Sequence, residues 1–454
     1  MDKKLPDLKK ADKKAFTPAR DPFFGFITGH ALSLRKGRLE FMYKSFLDHG
    51  DFLIMFIGKK RTLLVNDPAG LKHVFFENAK NYPKNTPGYQ RVAEVLGQGV
   101  FTDVGEEWRR GRRVIQPIFN PSKFDHYFGL INEESNQLVE SLIGAVDEKE
   151  VNFSYWSTRY ALHVIGRSLL NERLEESFNI ISQKLSELID LTEKKMTRIF
   201  PFKTPKVKKE DAEFTLALKI LDEEIEKVII REKEKPRTGA QGNFIHALLD
   251  SSEKFSDKKI LSQVKTMIFA GHETSANVMT WGFYFLMKYP EWQDKIYNEL
   301  KERDFKIESE EEVKNYKNVN LFLNEVLRMR PPAWSFGRLA VSEDQIHGEK
   351  IFPGDLISIS PYLIQHHPDY WEKPEEFNPY RFLQEPKPLT FIPYGAGQRV
   401  CMGERLANLE MATMFLKVLS KFKIEALEPN LHIEMNAQVS LRPQTAVKGK
   451  LIKR

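Results

Sequence analysis

The chain has a single cysteine, Cys401, and it stands in a glycine-rich run: Phe391-Ile392-Pro393-Tyr394-Gly395-Ala396-Gly397-Gln398-Arg399-Val400-Cys401-Met402-Gly403. Gly395, Gly397 and Gly403 free the backbone to curl around one side chain. A helical pattern begins at the cysteine, so backbone N–H groups and the helix dipole favour negative charge on the sulfur, and Arg399 adds a positive neighbour. A sole thiolate in that setting suits a soft metal. A lone cysteine is more often a buried, inert side chain; the glycines and the arginine argue against that here. Residues 395–400 also resemble a damaged dinucleotide fingerprint, but the third glycine is missing and no strand–helix–strand unit surrounds them.

A second group, Phe269-Ala270-Gly271-His272-Glu273-Thr274-Ser275, lies at the start of the longest apolar stretch, 267–287. Gly271 weakens a helix by about 1 kcal/mol relative to alanine, and the Thr274 hydroxyl can bond back to the Ala270 carbonyl. A loosened helix carrying an acid and an alcohol offers a groove for a small polar ligand and a route for protons; a water-filled kink is the plainer alternative. A zinc-protease reading of His272-Glu273 fails, because Ala276 stands where the second histidine must be. Further along, Glu325 and Arg328 are three apart on a helix and can pair, with Arg381 as a third member. Alone, such a pair on a surface is worth little. Trp108 and Arg112, four apart, would turn an indole and a guanidinium toward a buried carboxylate. Arg109, Arg110 and Arg113 point elsewhere and would form an exposed basic patch.

The elements that must position these groups are mostly helical. Apolar positions at three- and four-residue spacing predict helices over 131–146, 185–196, 212–233, 257–288 and 319–329, the last stopped by Pro331-Pro332, and a final helix over 402–422. A strand pair is expected at 52–57 and 62–65 around Gly58-Lys59-Lys60, with short strands near 351–359. Residues 198–210, with Phe200 and Phe202 among lysines, are expected to be a solvated basic loop with at most weak membrane-surface contact. Residues 1–20 read as a polar tail and 21–454 as one domain, mainly α with a small β part. The chain has 454 residues, 29% charged and 41% hydrophobic, with a formal charge of +6. Such a composition excludes disordered and collagen-like chains. The charge is too diluted to point to nucleic acid. One cysteine excludes a disulfide-stapled fold and Cys-pair zinc sites. No stretch offers the roughly 20 uninterrupted apolar residues of a bilayer span, so a soluble, cytoplasmic protein is expected.

Together the four groups resemble the cytochrome P-450 superfamily of haem-thiolate monooxygenases, of the soluble bacterial type, from about Trp108 to Gly403 and in the family's order. The resemblance implies that fold, with haem b between the long central helix and the cysteine loop. It implies Cys401 as the iron ligand, and Trp108, Arg112, Arg338 and Arg399 as propionate ligands beside Tyr394 and Gly395. Glu325, Arg328 and Arg381 would form a buried network, and Glu273 and Thr274 the catalytic acid–alcohol pair. Ala270, Ala333 and Phe336, with the segment 87–101, would give the substrate apolar walls. The implied reaction inserts one oxygen atom of O2 into a C–H or C=C bond of a hydrophobic molecule such as a fatty acid, terpene or steroid. Electrons would reach a monomeric enzyme from NAD(P)H only indirectly, through a ferredoxin or flavodoxin-type donor and its reductase. Arg109, Arg110 and Arg113 are the expected dock for an acidic donor. Three positions depart from the family pattern. Tyr394 replaces the usual Phe, and its hydroxyl would alter the electronics of the sulfur; Tyr380 replaces the usual acid before Arg381; and His367 follows His366 where arginine is common. A peroxide-using relative and a non-catalytic haem sensor are the alternatives; an intact Glu273–Thr274 pair argues against the first.

Overall fold

The computed structural model describes residues 15–20, 25–146, 148–198, 202–235 and 244–454. Most of the expected polar tail and Phe200 lie outside these. The organising element is a helix of 32 residues, Asp257–Lys288, about 48 Å long at 1.5 Å per residue. Its limits follow from its ends. The Ser256 hydroxyl accepts from the Lys259 N–H, a cap that satisfies one of the orphan donors of the first turn, and Pro290 ends the pattern two residues past Lys288.

Two glycines set how closely this helix is packed. A Cβ on Gly271 would come within 2.4 Å of Ile165 on the helix Phe153–Leu170, and one on Gly282 within 2.4 Å of the Phe415 ring on the last helix, Glu404–Leu419. The sequence reading made Gly271 a weak point of the helix; the residue is instead where two helices touch. Phe283 stacks on Phe153 at 4.5 Å and tilts against Phe415 at 5.1 Å, so the buried seam is aromatic as well as close. The largest apolar core gathers around these three helices.

A four-stranded sheet lies beside them, ordered 52–57, 60–65, 356–359, 336–339. Its hairpin turns on Gly58 (φ 61°) and Lys59 alone, because Lys60 already pairs with Ile57; the expected strand began two residues too late. The outer strand Phe336–Leu339 carries Arg338. A small hairpin, Met435–Ala437 with Leu441–Pro443, reaches back to the central helix.

Other boundaries also moved. The predicted helices at 131, 185 and 212 begin at Phe124, Glu175 and Pro205; polar first turns hide the last two starts from an apolar pattern, whereas Phe124, Tyr127 and Phe128 carry the buried face of the first helix back to its start. Residues 205–210 are therefore helix, capped by Thr204, and not loop. The last helix starts at Glu404, two residues later than expected, and Phe422 opens a strand, Phe422–Ala426. Among the described residues no helix is long and apolar enough to cross a membrane.

Candidate active site

Gly395 (φ 76°) and Gly397 (φ 68°) take the left-handed backbone that the cysteine loop needs. A Cβ at Gly397 would also strike the Phe75 carbonyl at 2.5 Å. The Cys401 N–H donates to the Tyr394 carbonyl at 3.0 Å, closing the loop. Its thiol is accessible and receives hydrogen bonds from the backbone N–H groups of Gly403 and Glu404, at the start of the last helix. These donors and Arg112 pull its pKa down. The low-dielectric surroundings push it up more strongly, with Glu404 helping, and the net direction is upward. In the metal-free chain burial thus outweighs the helix-terminus donors; a coordinating metal cation favours the thiolate. Among the described residues no cluster of three His, Cys, Asp or Glu could hold a metal ion.

The Tyr394 hydroxyl donates to Asn408 Oδ1 at 2.5 Å, its backbone carbonyl accepts from the Cys401 N–H, and the cysteine also lies within electrostatic range of the phenol.

Beside the loop lies a group of cations. The helix Gly105–Ile115 places Trp108 and Arg112 on one face. The Arg399 guanidinium lies 4.0 Å from the Trp108 ring and the Arg112 guanidinium 5.8 Å. Arg112 also donates to the Val400 carbonyl at 3.1 Å. Arg338 is buried and hydrogen-bonded to Tyr89. Lys84, which the sequence reading missed, lies 3.5 Å from the Phe101 ring and 4.2 Å from the Tyr89 ring. Desolvation, then Arg338 and Arg399, drive its pKa well below the lysine range. Desolvation and the neighbouring Arg338 push Arg399 down to about 9. None of Lys84, Arg112, Arg338 and Arg399 has an ion pair with Asp or Glu among the described residues. The nearest acid, Asp103, is held by Lys259 at 2.6 Å and gives Arg399 only its carbonyl. Arg338 is buried and the other three are half-buried; cations gathered out of water without a counter-ion are costly unless an anion joins them. A cavity of about 250 Å³ lined by Trp108, Lys84, Arg338 and Arg399 opens here. The carboxylates of a haem would find their counter-charges in this set of cations, and its iron would find a ligand in the adjacent sulfur.

Arg109, Arg110 and Arg113 are not the free basic patch expected. Arg109 pairs with Glu106 at 3.1 Å, Arg110 with Glu107 at 2.8 Å and Glu253 at 2.7 Å, and Arg113 with Glu253 at 2.9 Å. Their charge is largely compensated within the chain.

On the central helix, Thr274 Oγ1 donates to the Ala270 carbonyl at 2.6 Å. The Glu273 carboxylate accepts from Ser440 Oγ at 2.6 Å and Asn277 Nδ2 at 3.0 Å. Ser440 comes from the turn between 437 and 441; no sequence signal tied it to an acid 167 residues earlier. Behind this pair, Ser275 hydrogen-bonds the carboxyl of Glu410 on the last helix, whose burial pushes it up to about 8.

Glu325 and Arg328 are fully buried and doubly bonded, at 2.7 and 2.9 Å. Arg381 Nε reaches Glu325 at 3.1 Å. Arg328 also donates to the carbonyls of Gln365 and Pro374, each at 2.8 Å. The three residues clamp the irregular segment before the cysteine loop, and the interior position removes the objection that such a pair is only surface decoration.

The segment 87–101, expected to give apolar walls, borders one small cavity. A tight apolar cavity lies between the helix Pro87–Leu96, the helix Glu175–Met196 and the central helix, with Val92, Leu96, Leu185, Ile189 and Phe269 among its lining. The expected segment 87–101 contributes; Ala270, Ala333 and Phe336 do not line it. Phe336 instead faces the loop, with its ring edge 3.7 Å from the Cβ position of Gly395.

A family model described as Cytochrome P450 matches residues 19–448. Cytochrome P450 4V2 of Homo sapiens is 26% identical over 94% of this chain and 88% of its own length. Cytochrome P450 3A9 of Rattus norvegicus is 25% identical over 95% and 90%. The protein LUTEIN DEFICIENT 5, chloroplastic, of Arabidopsis thaliana is 26% identical over 91% and 74%. With the family model spanning nearly its whole length, the chain belongs to the cytochrome P450 family, a monooxygenase with haem b, iron protoporphyrin IX, as cofactor and with electrons drawn from NAD(P)H through a redox partner.

Proposed function

We propose that the protein oxygenates a C–H or C=C bond of a hydrophobic small molecule of the fatty acid, terpene or steroid kind. In this reading Cys401 is the iron ligand, and Trp108, Arg112, Arg338, Arg399 and the newly found Lys84 hold the propionates against the loop of Tyr394 and Gly395. The observation that carries it is the set of four cations, unpaired among the described residues, beside the chain's one cysteine. When bound, the haem supplies a thiolate-ligated iron whose electron push favours O–O cleavage. The chain's own part is protonic and steric. Thr274 spends its proton on the Ala270 carbonyl, which leaves its oxygen lone pairs to orient a water. Glu273, steadied by Asn277 and Ser440, passes protons toward that water. The apolar cavity excludes bulk solvent and fixes which carbon is presented.

The electron donor in this proposal is a ferredoxin or flavodoxin-type protein with its reductase, since a single cysteine cannot build an iron–sulfur cluster of its own. The enzyme would work as a cytoplasmic monomer, with at most weak contact at a membrane surface; fractionation and gel filtration check both. The chemical test is Thr274→Ala. Oxygen and reductant consumption should continue while product per electron pair falls several-fold. An unchanged ratio would remove the relay. Equal turnover of the parent with peroxide alone would move the enzyme to the peroxide-using class.

A further inference from the structure

Thr192 sits on the helix Glu175–Met196 with 2% of its surface exposed, and its hydroxyl has no hydrogen-bond partner among the described residues. The usual recourse of a helical threonine is the carbonyl four residues back. Thr274, Thr280 and Thr197 all take it, at 2.6, 2.7 and 2.8 Å; Thr192, Thr266 and Thr413 do not, and of these three Thr192 alone lines the apolar cavity. It is the one side chain with a polar atom lining the apolar cavity described above, where it faces Val92, Ile189, Phe269 and Val439. A buried hydroxyl left without a partner is unfavourable, so its place in an otherwise dry wall asks for a ligand atom.

The charges nearby decide what kind of atom. Asp190, Glu193 and Lys195 lie on the same helix, and each is already paired. Asp190 binds Arg442, Glu193 binds Arg38 at 2.9 Å, and Lys195 binds Glu94 at 2.9 Å. No Lys, Arg, His, Asp or Glu lines the cavity. A carboxylate brought here would lose its hydration with no cation to replace it, whereas a neutral oxygen would meet the one donor available.

We propose that Thr192 is a specificity-determining residue that binds a single uncharged oxygen, a carbonyl, hydroxyl or ether, on a predominantly apolar substrate. The inference rests on the monooxygenase reading of the site and narrows it, disfavouring substrates anchored at this end by a free carboxylate. The cavity has about 10 Å³ of space, room for about one water. A ligand therefore enters only as the helices Pro87–Leu96 and Glu175–Met196 part, and a single trapped water is the competing occupant of the hydroxyl.

The test uses the haem-loaded enzyme and three ten-carbon probes, 2-decanone, decane and decanoate, with dissociation constants taken from optical and calorimetric titration. The parent should bind the ketone best. Thr192→Val, which keeps the shape and removes the hydroxyl, should weaken the ketone about tenfold, as loss of one hydrogen bond does, and leave decane unchanged. Thr192→Ser should restore the preference. Without ligand, Thr192→Val should melt no lower than the parent, since the hydroxyl has nothing to lose. A lower melting point would show that a protein group or a trapped water already satisfies it, and would overturn the proposal. So would equal weakening of ketone and alkane, a preference for decanoate that survives in Thr192→Val, or no binding of any probe by a protein whose reduced, carbon-monoxide-treated spectrum shows thiolate ligation. Absence of that spectrum would instead sink the haem-thiolate reading beneath it.

Discussion

Glu410 is a carboxyl with almost no exposure, 3%, between the last helix and the central one. Its hydrogen-bonding partners are neutral: the Ser275 hydroxyl at the carboxyl and the Tyr160 hydroxyl at its backbone carbonyl, 3.1 Å away. Burial raises its pKa from 4.5 to about 8. In that interval the folded protein holds a proton that the unfolded chain has released. The folded state is therefore favoured below pH 4.5, and the benefit is lost as pH climbs toward 8. At 1.36 kcal/mol per pH unit, the loss is about 3 kcal/mol by pH 7 and about 5 kcal/mol by pH 8. Glu410→Gln is neutral at every pH and can still meet Ser275. Its stability should match the parent near pH 5 and exceed it by a margin that widens to pH 8 and then stays level. Urea unfolding of both proteins from pH 5 to 9 measures the margin directly. Comparing the two also removes the opposing contribution of His163 and His272, which desolvation holds down at about 4; these histidines are common to both proteins and cancel. A margin that is flat across this range would refute the buried, protonated carboxyl.

Two further outcomes follow from the same kind of reasoning. Lys84→Met removes a cation from a repelling group, so the haem-free protein should melt higher than the haem-free parent. The loaded variant should give up haem to apomyoglobin about tenfold faster, as expected for losing one charge-assisted hydrogen bond; unchanged transfer would take Lys84 out of the propionate site. Glu325→Gln leaves Arg328 buried against a neutral partner, and unfolding free energy should fall by about 3–5 kcal/mol. A fall below about 1 kcal/mol would mean that the carbonyls of Gln365 and Pro374 hold Arg328 without the acid.

What could be read in the sequence, and what could not, divides along the range of the interactions involved. The central helix was legible to the residue because its cap, its apolar run and its stop are all local. The cysteine loop was legible because three glycines and a cysteine in thirteen residues are rare without a purpose. The pairing of Glu325 with Arg328 was legible at three-residue spacing, but its burial was not, since burial depends on a segment some fifty residues away. Lys84, Ser440, Glu410 and Thr192 gave no signal at all. Each matters only through a partner or a cavity supplied by a distant part of the chain, and neither periodicity nor composition records that. The basic patch shows the opposite failure. Glu106 and Glu107 stand three residues before Arg109 and Arg110, the spacing at which helical charges pair, so half of its neutralisation was on view in the sequence. The rest came from Glu253, which only the fold brings near. An electron donor that uses this face therefore meets alternating charges rather than a block of positive ones, and the salt dependence of its docking should be correspondingly shallow. A steep fall in the rate of iron reduction with rising salt would instead point to basic residues elsewhere on the surface.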